Sequence, residues 1–301
     1  MRNVFRNALI EFAADPAFVF LTGDLGFQAL EPLREKMGER FINAGVAEQN
    51  MVSVAAALAK EGLRPWVYSI APFLYARAFE QIRNDVCLHG MPVILVGNGG
   101  GYGYGVMGST HHAIEDYGTL LSLQGMRAYI PAFDCDVSEV IRNLMRADHP
   151  AYLRLGLSEQ PKWFSPPPLA AWRHLLTGAG PTIAIAGPLA GGILDAVRES
   201  EISADVWLVS ELPVTELPRE FLSSLRRSDY LMVIEEHVSA GGLGQMLAHQ
   251  LLLVGAAPSQ FVHRKALGYV SRRYGSQRFH RAESGLDPAS IVAELHQAVM
   301  V

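Results

Sequence analysis

The chain has 301 residues, of which 50% are hydrophobic and 18% are charged, and its formal net charge is −5. This composition is typical of a globular protein, and the length allows two ordinary domains. The acidic balance and the lack of any Lys/Arg cluster argue against nucleic acid as a partner. No apolar run approaches the roughly 18 residues of a membrane span. Two isolated cysteines and an amphipathic first segment without signal-peptide features predict a cytoplasmic protein.

Short apolar strands alternate with helical patterns along both halves of the chain. Such alternation predicts an α/β protein in which each domain is a mostly parallel sheet flanked by helices. The predicted strands are 18–22, 65–69, 92–97, 127–130, 151–155, 182–186, 206–209, 230–235 and 260–263, and helices are predicted at 47–61, 71–88, 134–147 and 288–300. Around 156–181 the pattern fails within a stretch that contains three consecutive prolines. We therefore predict a first domain over 1–157, a linker over 158–181 and a second domain over 182–301.

Glu48 lies on the apolar face of the helix predicted over 47–61. That face is marked by the i, i+3, i+4, i+7 spacing within the set Met51, Val52, Ala55, Leu58 and Ala59, and Glu48 lies three residues before Met51. A buried carboxylate is costly unless it is paired, and burial should raise its pKa. The alternative is a solvated acid in the first helical turn, which the helix dipole favours. Spacing alone leaves both interpretations open.

The residue order around Glu48, Gly-Val-Ala-Glu-Gln-Asn-Met over 45–51, resembles a segment of the transketolase family. In that family this segment belongs to the pyrimidine-binding domain and carries the glutamate that activates thiamine diphosphate. The glutamate bonds a ring nitrogen of the aminopyrimidine and favours its imino tautomer, which suits a carboxylic acid in an apolar pocket. The resemblance therefore implies thiamine diphosphate as the cofactor and Glu48 as its activating acid.

The resemblance implies three further cofactor contacts. Phe73, where a strand turns into a helix, is implied to stack on the flat aminopyrimidine, although a core position is the alternative. Tyr75 is a second aromatic candidate. Asp24, in the loop after the first strand, is implied to lie near the cofactor, with a turn or cap role as the alternative. We assign Arg77 and Arg83 to structural or interface ion pairs.

A glycine-rich loop over 97–108 precedes a Thr-His-His sequence at 110–112. It contains G-x-G-x-x-G at Gly103, Gly105 and Gly108, but the match begins several residues after the strand, which is weak evidence for a nicotinamide site. Frequent glycines indicate a backbone that approaches another part of the molecule closely. The resemblance implies that His111 lies beside cofactor and substrate as a catalytic residue, and it gives His112 no such role.

Two positions in this loop depart from transketolases proper. Met107 stands about where the family has an aspartate that contacts a sugar hydroxyl, and Gly99 about where it has a histidine. Losing those groups removes hydrogen-bonding partners and, at Gly99, opens space. We therefore expect an acceptor that is bulkier or less polar than an ordinary aldose phosphate.

Two arginines align with phosphate contacts of the family. Arg154 ends the last strand of the first domain, and Arg2 begins the first helix. A guanidinium fork suits a terminal phosphate, which implies a sugar phosphate as substrate. The alternative for each is an ordinary surface arginine, more so for Arg2 because it lies at a terminus.

The chain starts directly in the predicted pyrimidine-binding domain and lacks the Gly-Asp-Gly motif by which the family binds metal and diphosphate. We therefore assign no metal site to this chain. The resemblance implies the second subunit of a two-chain transketolase that transfers a two-carbon ketol unit from a ketose phosphate. A diphosphate-binding partner subunit would hold Mg²⁺ or Ca²⁺, in an α2β2 heterotetramer.

Three other functions remain open. The first is the beta subunit of a 2-oxoacid dehydrogenase-type decarboxylase, which passes an acyl or glycolyl unit to a carrier arm. The second is a non-catalytic assembly subunit, and the third is a nicotinamide oxidoreductase.

Overall fold

The computed structural model describes residues 1–26 and 28–299, with the side chain of residue 299 left out. The first domain contains β1 Phe18–Thr22, β2 Phe41–Asn43, β3 Arg64–Ile70, β4 Ile94–Asn98, β5 Arg127–Tyr129 and β6 Ala151–Leu155. Its helices are α1 Arg2–Ile10, α2 Glu31–Met37, α3 Glu48–Lys60, α4 Ala71–Tyr75, α5 Phe79–Gln81, α6 Asp116–Leu120 and α7 Asp134–Leu144. These strands pair in the order β2-β1-β3-β4-β6-β5, all parallel.

The second domain is built on a five-stranded sheet. In chain order the elements after β6 are β7 Trp172–Leu176, β8 Thr182–Ala186, α8 Leu189–Glu199, β9 Asp205–Val209, β10 Glu211–Leu212, α9 Arg219–Ser228, β11 Tyr230–Ile234, α10 Leu243–Leu253, β12 Gln260–Arg264, α11 Gln277–Glu283 and α12 Pro288–Val299. The strand order is β12-β11-β8-β9-β7, and only β7 runs antiparallel to its neighbour. Two helix-flanked, mostly parallel sheets confirm the predicted fold class. The last residues of the helix predicted to 300 and of the domain predicted to 301 lie outside the described chain.

Strand β7 falls inside the segment 158–181 that the sequence predicts to be a linker. Its buried side carries Arg173, which is 3% exposed and pairs with Asp136 of α7 at 2.7 Å. An arginine on the buried side breaks the apolar alternation that identifies a strand. The linker prediction is therefore wrong for 172–176.

The two domains share a sheet edge and a hydrophobic core. The short strand β10 leaves the second domain and pairs antiparallel with β5 at the edge of the first sheet. One hydrophobic cluster continues from α3 and Tyr117 in the first domain to Trp207 and Phe221 in the second. A cluster around Phe5, Phe20 and Trp66 covers the other face of the first sheet. Side chains of the second domain can therefore support residues of the first.

The helix predicted over 71–88 is broken into three pieces. Helix α4 ends at Tyr75, α5 begins at Phe79, and a π-helical turn follows over Ile82–Cys87. The break leaves Arg77 between two helices, where it can turn toward the start of α3. Within the described chain, no helix is long and apolar enough to cross a membrane.

Candidate active site

Two predicted site residues, Asp24 and Phe73, and the loop position Gly99 follow the carboxyl ends of adjacent parallel strands. Asp24 follows β1, Phe73 follows β3 and Gly99 follows β4, and these three strands are neighbours in the sheet. Parallel strands place their carboxyl ends at one edge, which is where open α/β sheets bind ligands. The sheet order thus brings residues from distant parts of the sequence to a common edge.

Glu48 begins α3 with its side chain turned inward. It is 3% exposed and lies on the buried side of the helix together with Met51 and Val52, as the spacing predicts. Its carboxylate accepts a hydrogen bond from Nη1 of Arg77 at 2.7 Å. A Cβ atom on Gly23 would lie 3.8 Å from Oε1 of Glu48, so the loop after β1 closes over the carboxylate. Glu48 is therefore a buried, paired acid and not a solvated one.

Phe73 connects the Glu48 pair to His111. The Arg77 guanidinium lies over the Phe73 ring, with 4.8 Å between its carbon and the ring centroid. The edge of His111 meets the same phenylalanine, with 5.1 Å between the ring centroids. Nδ1 of His111 lies 2.9 Å from the hydroxyl of Thr110, which fixes the orientation of the imidazole. Three of the predicted site residues are thus connected: Arg77 links Glu48 to Phe73, and Phe73 contacts His111.

This row of contacts continues from His111 to a cavity of about 420 Å³. The rings of His111 and Tyr104 lie 5.9 Å apart between centroids, and Tyr104 lines the cavity with Arg2, Asn98 and Gly99. The amide of Asn98 donates a hydrogen bond to the Tyr104 hydroxyl at 2.8 Å, and burial raises the pKa of that hydroxyl. The predicted phosphate ligand Arg2 therefore shares this cavity with polar groups that continue the row from Glu48.

The expectation that Gly99 opens space is wrong. A Cβ atom on Gly99 would lie 2.2 Å from a carbon of the Tyr104 ring, and the backbone φ there is +77°. Tyr104 therefore fills the volume beside Gly99. The hydrogen bond between the Asn98 amide and the Tyr104 hydroxyl keeps this part of the cavity polar. Met107 is 52% exposed in a 3-10 turn and is not among the residues that line this cavity.

Arg154 is buried and hydrogen-bonded within the protein. It is 5% exposed, and its Nε donates to Oδ2 of Asp116 at 2.8 Å. Its Nη2 donates to the carbonyl oxygens of Ala113 and Glu236, each at 2.9 Å. Burial alone would lower the pKa of Arg154, but Asp116 and the neighbouring tyrosines more than compensate, and the net shift is upward. These contacts argue against the predicted phosphate contact, because binding a phosphate would break them.

Asp24 and Tyr75 lie away from the row that runs from Glu48 to Arg2. Asp24 is exposed, and its Oδ1 accepts a hydrogen bond from Asn43 at 3.2 Å beside a smaller cavity of about 200 Å³. Tyr75 is buried and donates from its hydroxyl to Glu115 at 3.3 Å. Burial and then the charge of Glu115 raise the pKa of Tyr75. Asp24 borders Glu48 only through Gly23, and Tyr75 is directed to Glu115.

The second domain holds the glycine-rich loop by contacts that the sequence did not reveal. Oε1 of Glu236 accepts a hydrogen bond from the backbone amide of Tyr102 at 2.9 Å, and Arg281 pairs with Oε2 at 2.7 Å. A Cβ atom on Gly101 would lie 2.6 Å from Glu236, and one on Gly108 would lie 2.1 Å from Tyr274. Close approach to the second domain therefore explains these glycines. The sequence signal that could have indicated a buried charged group here is the pair of consecutive acids, Glu235 and Glu236, directly after the apolar strand β11.

The G-x-G-x-x-G sequence in this loop does not form a dinucleotide fingerprint. A fingerprint opens a helix directly after a strand, whereas residues Gly105–Met107 form a single 3-10 turn. His112 follows it as a buried residue whose Nε2 lies 2.8 Å from the carbonyl oxygen of Gly105. This local structure argues against the nicotinamide alternative and makes His112 a structural residue.

No group of three or more His, Cys, Asp or Glu within the described ranges could hold a metal ion. A larger cavity, about 600 Å³, lies between the domains around Trp172 and Pro213, and none of the predicted site residues lines it. We place the candidate site at the row from Glu48 to Arg2, because the charged and aromatic groups converge there.

The family model described as the transketolase pyrimidine-binding domain matches residues 1–161, which include the whole row from Arg2 to His111. The chain belongs to the transketolase family. This confirms the resemblance seen in the segment around Glu48. The matched region contains the candidate site at the edge of the first sheet.

Relatives of two lengths resemble the chain. It is 29% identical over 274 residues to a protein of Actinobacillus succinogenes named as one subunit of an apulose-4-phosphate transketolase, covering 87% of this chain and 86% of that one. It is 32% identical over 267 residues to 1-deoxy-D-xylulose-5-phosphate synthase 2 of Geobacter sulfurreducens, covering 85% of this chain but 42% of that relative. The chain therefore matches the Actinobacillus relative over most of the length of both proteins, whereas it matches less than half of the synthase.

A solved structure titled "Split gene transketolase, inactive beta4 tetramer" matches with a TM-score of 0.83 and 28% identity, over 99% of this chain and 97% of that one. The transketolase of Leishmania mexicana matches in fold with a TM-score of 0.77, at 18% identity, and 45% of its chain is covered. These findings confirm the prediction that the chain resembles the carboxyl-terminal subunit of a split transketolase.

Proposed function

We propose that this chain is the pyrimidine-binding subunit of a two-chain transketolase that transfers a two-carbon ketol unit from a ketose phosphate to an acceptor. The observation that carries the proposal is the buried carboxylate of Glu48, linked through Arg77 to the ring of Phe73. All three residues lie within the part of the chain that the pyrimidine-binding model matches. The cofactor of this reaction would be thiamine diphosphate.

The residues around Glu48 fit the aminopyrimidine of that cofactor. The Arg77 guanidinium is a flat cation that donates an N–H to Glu48 and lies over the Phe73 ring. Glu48 and Phe73 thus already bind a planar cation that donates an N–H, which is what an aminopyrimidine becomes when its ring nitrogen takes up the shared proton. When bound, thiamine diphosphate supplies the carbon nucleophile that takes up the two-carbon unit. Glu48 would hold the proton that its carboxyl group shares with the pyrimidine ring.

The substrate would occupy the space between His111 and the cavity of Arg2. His111 lies between Phe73 and Tyr104, so its imidazole can move a proton at a substrate hydroxyl. The Arg2 guanidinium can bind a terminal phosphate, and the Asn98–Tyr104 pair offers hydrogen bonds to sugar hydroxyls. A sugar phosphate acceptor suits this lining, and an apolar acceptor does not.

The remaining half of the cofactor site would come from a partner subunit. Within residues 1–26 and 28–299 no cluster of ligands could hold a metal ion, so the diphosphate and its Mg²⁺ or Ca²⁺ are assigned to the partner. Support comes from the relative named as one subunit of a transketolase and from the structure titled as a split gene product. We propose an α2β2 heterotetramer in the cytoplasm.

The test is reconstitution with the subunit that carries the Gly-Asp-Gly motif. The isolated chain should show no turnover, and the complex should transfer two carbons from a ketose phosphate but not from a 2-oxoacid. Glu48→Gln should leave the fold intact and abolish exchange of the thiazolium proton, measured by NMR, whereas Glu61→Gln at the exposed end of the same helix should not. His111→Ala should impair turnover more than exchange. Normal exchange with Glu48→Gln would contradict the proposal.

A further inference from the structure

The guanidinium of Arg77 occupies the two groups that the proposed function assigns to the pyrimidine ring. Its Nη1 donates to Oε2 of Glu48 at 2.7 Å, and its carbon lies 4.8 Å from the centroid of Phe73. We propose that Arg77 is an internal placeholder for the aminopyrimidine, which the cofactor must displace in order to bind. This inference rests on the proposed function and extends it to a residue that sets cofactor affinity.

The electrostatic reason for a placeholder is the position of Glu48. Its side chain is 3% exposed, and an ionised carboxylate at such a place is costly without a counter-ion. Arg77 supplies that counter-ion while no cofactor is bound. The cofactor's ring nitrogen, once protonated, would supply an N–H donor at the same carboxylate, so Arg77 must leave when the cofactor binds.

The position of Arg77 makes its departure easy. The side chain is 44% exposed and lies in the break between α4 and α5, where no helical turn covers it. The described contacts of its guanidinium are those with Glu48 and Phe73. Turning outward would therefore place the charged group in water without burying another polar group. Glu48 and Phe73 would stay where they are.

Competition of this kind lowers the apparent affinity for the cofactor. If only the fraction of molecules with Arg77 turned outward can bind, the apparent dissociation constant rises in inverse proportion to that fraction. A pair with one half-exposed member is weak, so we expect a penalty of about threefold to tenfold and not a complete block.

The chain offers a matched control in Arg83. This arginine lies a short distance further along the same segment, is 52% exposed, and pairs with Glu80, which is also exposed. Removing it deletes a charge of the same sign from the same segment without changing the surroundings of Glu48.

The experiment is a titration of the reconstituted complex with thiamine diphosphate at saturating Mg²⁺, followed by calorimetry. Arg77→Ala should bind the cofactor about threefold to tenfold more tightly than the wild type, and Arg83→Ala should match the wild type. Arg77→Lys, which keeps the charge but loses the flat fork, should fall between the two. Unchanged or weaker binding by Arg77→Ala would overturn the inference.

A second readout uses the chain without cofactor. Arg77→Ala should lower its melting temperature because Glu48 loses its counter-ion, and adding Glu48→Gln should restore part of the loss. Absence of this coupling would also overturn the inference. If the wild-type complex binds no thiamine diphosphate at all, the proposed function fails together with the inference. Wild-type binding with no gain in Arg77→Ala removes the inference alone.

Discussion

The carboxylate of Glu236 accepts a hydrogen bond from the backbone amide of Tyr102, and 2.9 Å separates Oε1 from the amide nitrogen. The two residues belong to different domains and lie 134 positions apart in the sequence. Tyr102 is part of the glycine-rich loop that leads to His111. The second domain thus supports the loop that carries a proposed catalytic residue.

Replacing Glu236 with alanine should loosen this loop. The substitution leaves the partly buried Arg281 and the Tyr102 amide without their shared acceptor, which should cost about 3 kcal/mol of unfolding free energy. Urea denaturation measures the loss, and hydrogen exchange should rise at the loop amides. Glu216→Ala, at an exposed position of the same domain, is the control. Equal exchange in the two variants would show that Glu236 does not hold the loop.

Replacing Arg154 with lysine distinguishes a structural role from phosphate binding. A lysine cannot reproduce the fork that joins Asp116 to two carbonyl oxygens, so unfolding free energy should fall by about 3 to 5 kcal/mol. Chemical denaturation measures this change. A stable variant in which only KM for the phosphorylated substrate rises would instead restore the phosphate role predicted from the sequence.

Replacing Arg2 with glutamine should weaken binding of a phosphorylated substrate. The side chain lines the cavity beside Asn98 and Tyr104, so its loss should raise KM about tenfold and change kcat little. Steady-state kinetics of the complex with phosphorylated and unphosphorylated sugars gives the measurement. Arg142→Gln, on the exposed side of α7, should have no effect. A KM increase of the same size for both sugars would argue against a phosphate contact.

The contact between the domains should weaken in mild acid. Burial lowers the pKa of both His112 and His237. The unfolded chain binds these protons near an ordinary pKa of about 6.5, so below that pH it takes up more protons than the folded chain and stability falls. His112 faces Tyr269, His280 and the Gly105 carbonyl, none of which compensates a positive charge fully.

Melting temperatures from about pH 8 to about pH 5 should therefore decline below about pH 6.5. This interval lies above the ordinary pKa values of carboxyl groups, and Glu115 and Glu211, whose pKa values burial raises, would shift stability in the opposite direction. A decline is therefore assigned to the histidines. His112→Gln should be less stable at neutral pH but should depend less on pH. His89→Gln, at an exposed position, should keep the wild-type profile. A His112→Gln profile parallel to the wild type would contradict the assignment.

The sequence by itself determined the features that depend on local periodicity. The alternation of apolar strands with helices predicts both sheets, since each element shows its own spacing over a few residues. The same spacing places Glu48 on the buried side of α3, where the structure has it. The order of residues around Glu48 was enough to identify the family, because a short segment carries the chemistry of the cofactor.

Only the tertiary structure decided how distant polar groups pair. Strand β7 was hidden because Arg173 occupies its buried side, and its partner Asp136 lies 37 positions earlier. The sequence predicted an available guanidinium at Arg154 because no neighbouring residue indicates its partner Asp116. It predicted open space at Gly99 because it could not show that the Tyr104 ring, from the same loop, fills that volume. A buried charge is tolerated only when an oppositely charged or hydrogen-bonding group lies beside it. Folding brings such groups together from distant parts of the chain, so their pairing leaves no periodic signal in the sequence.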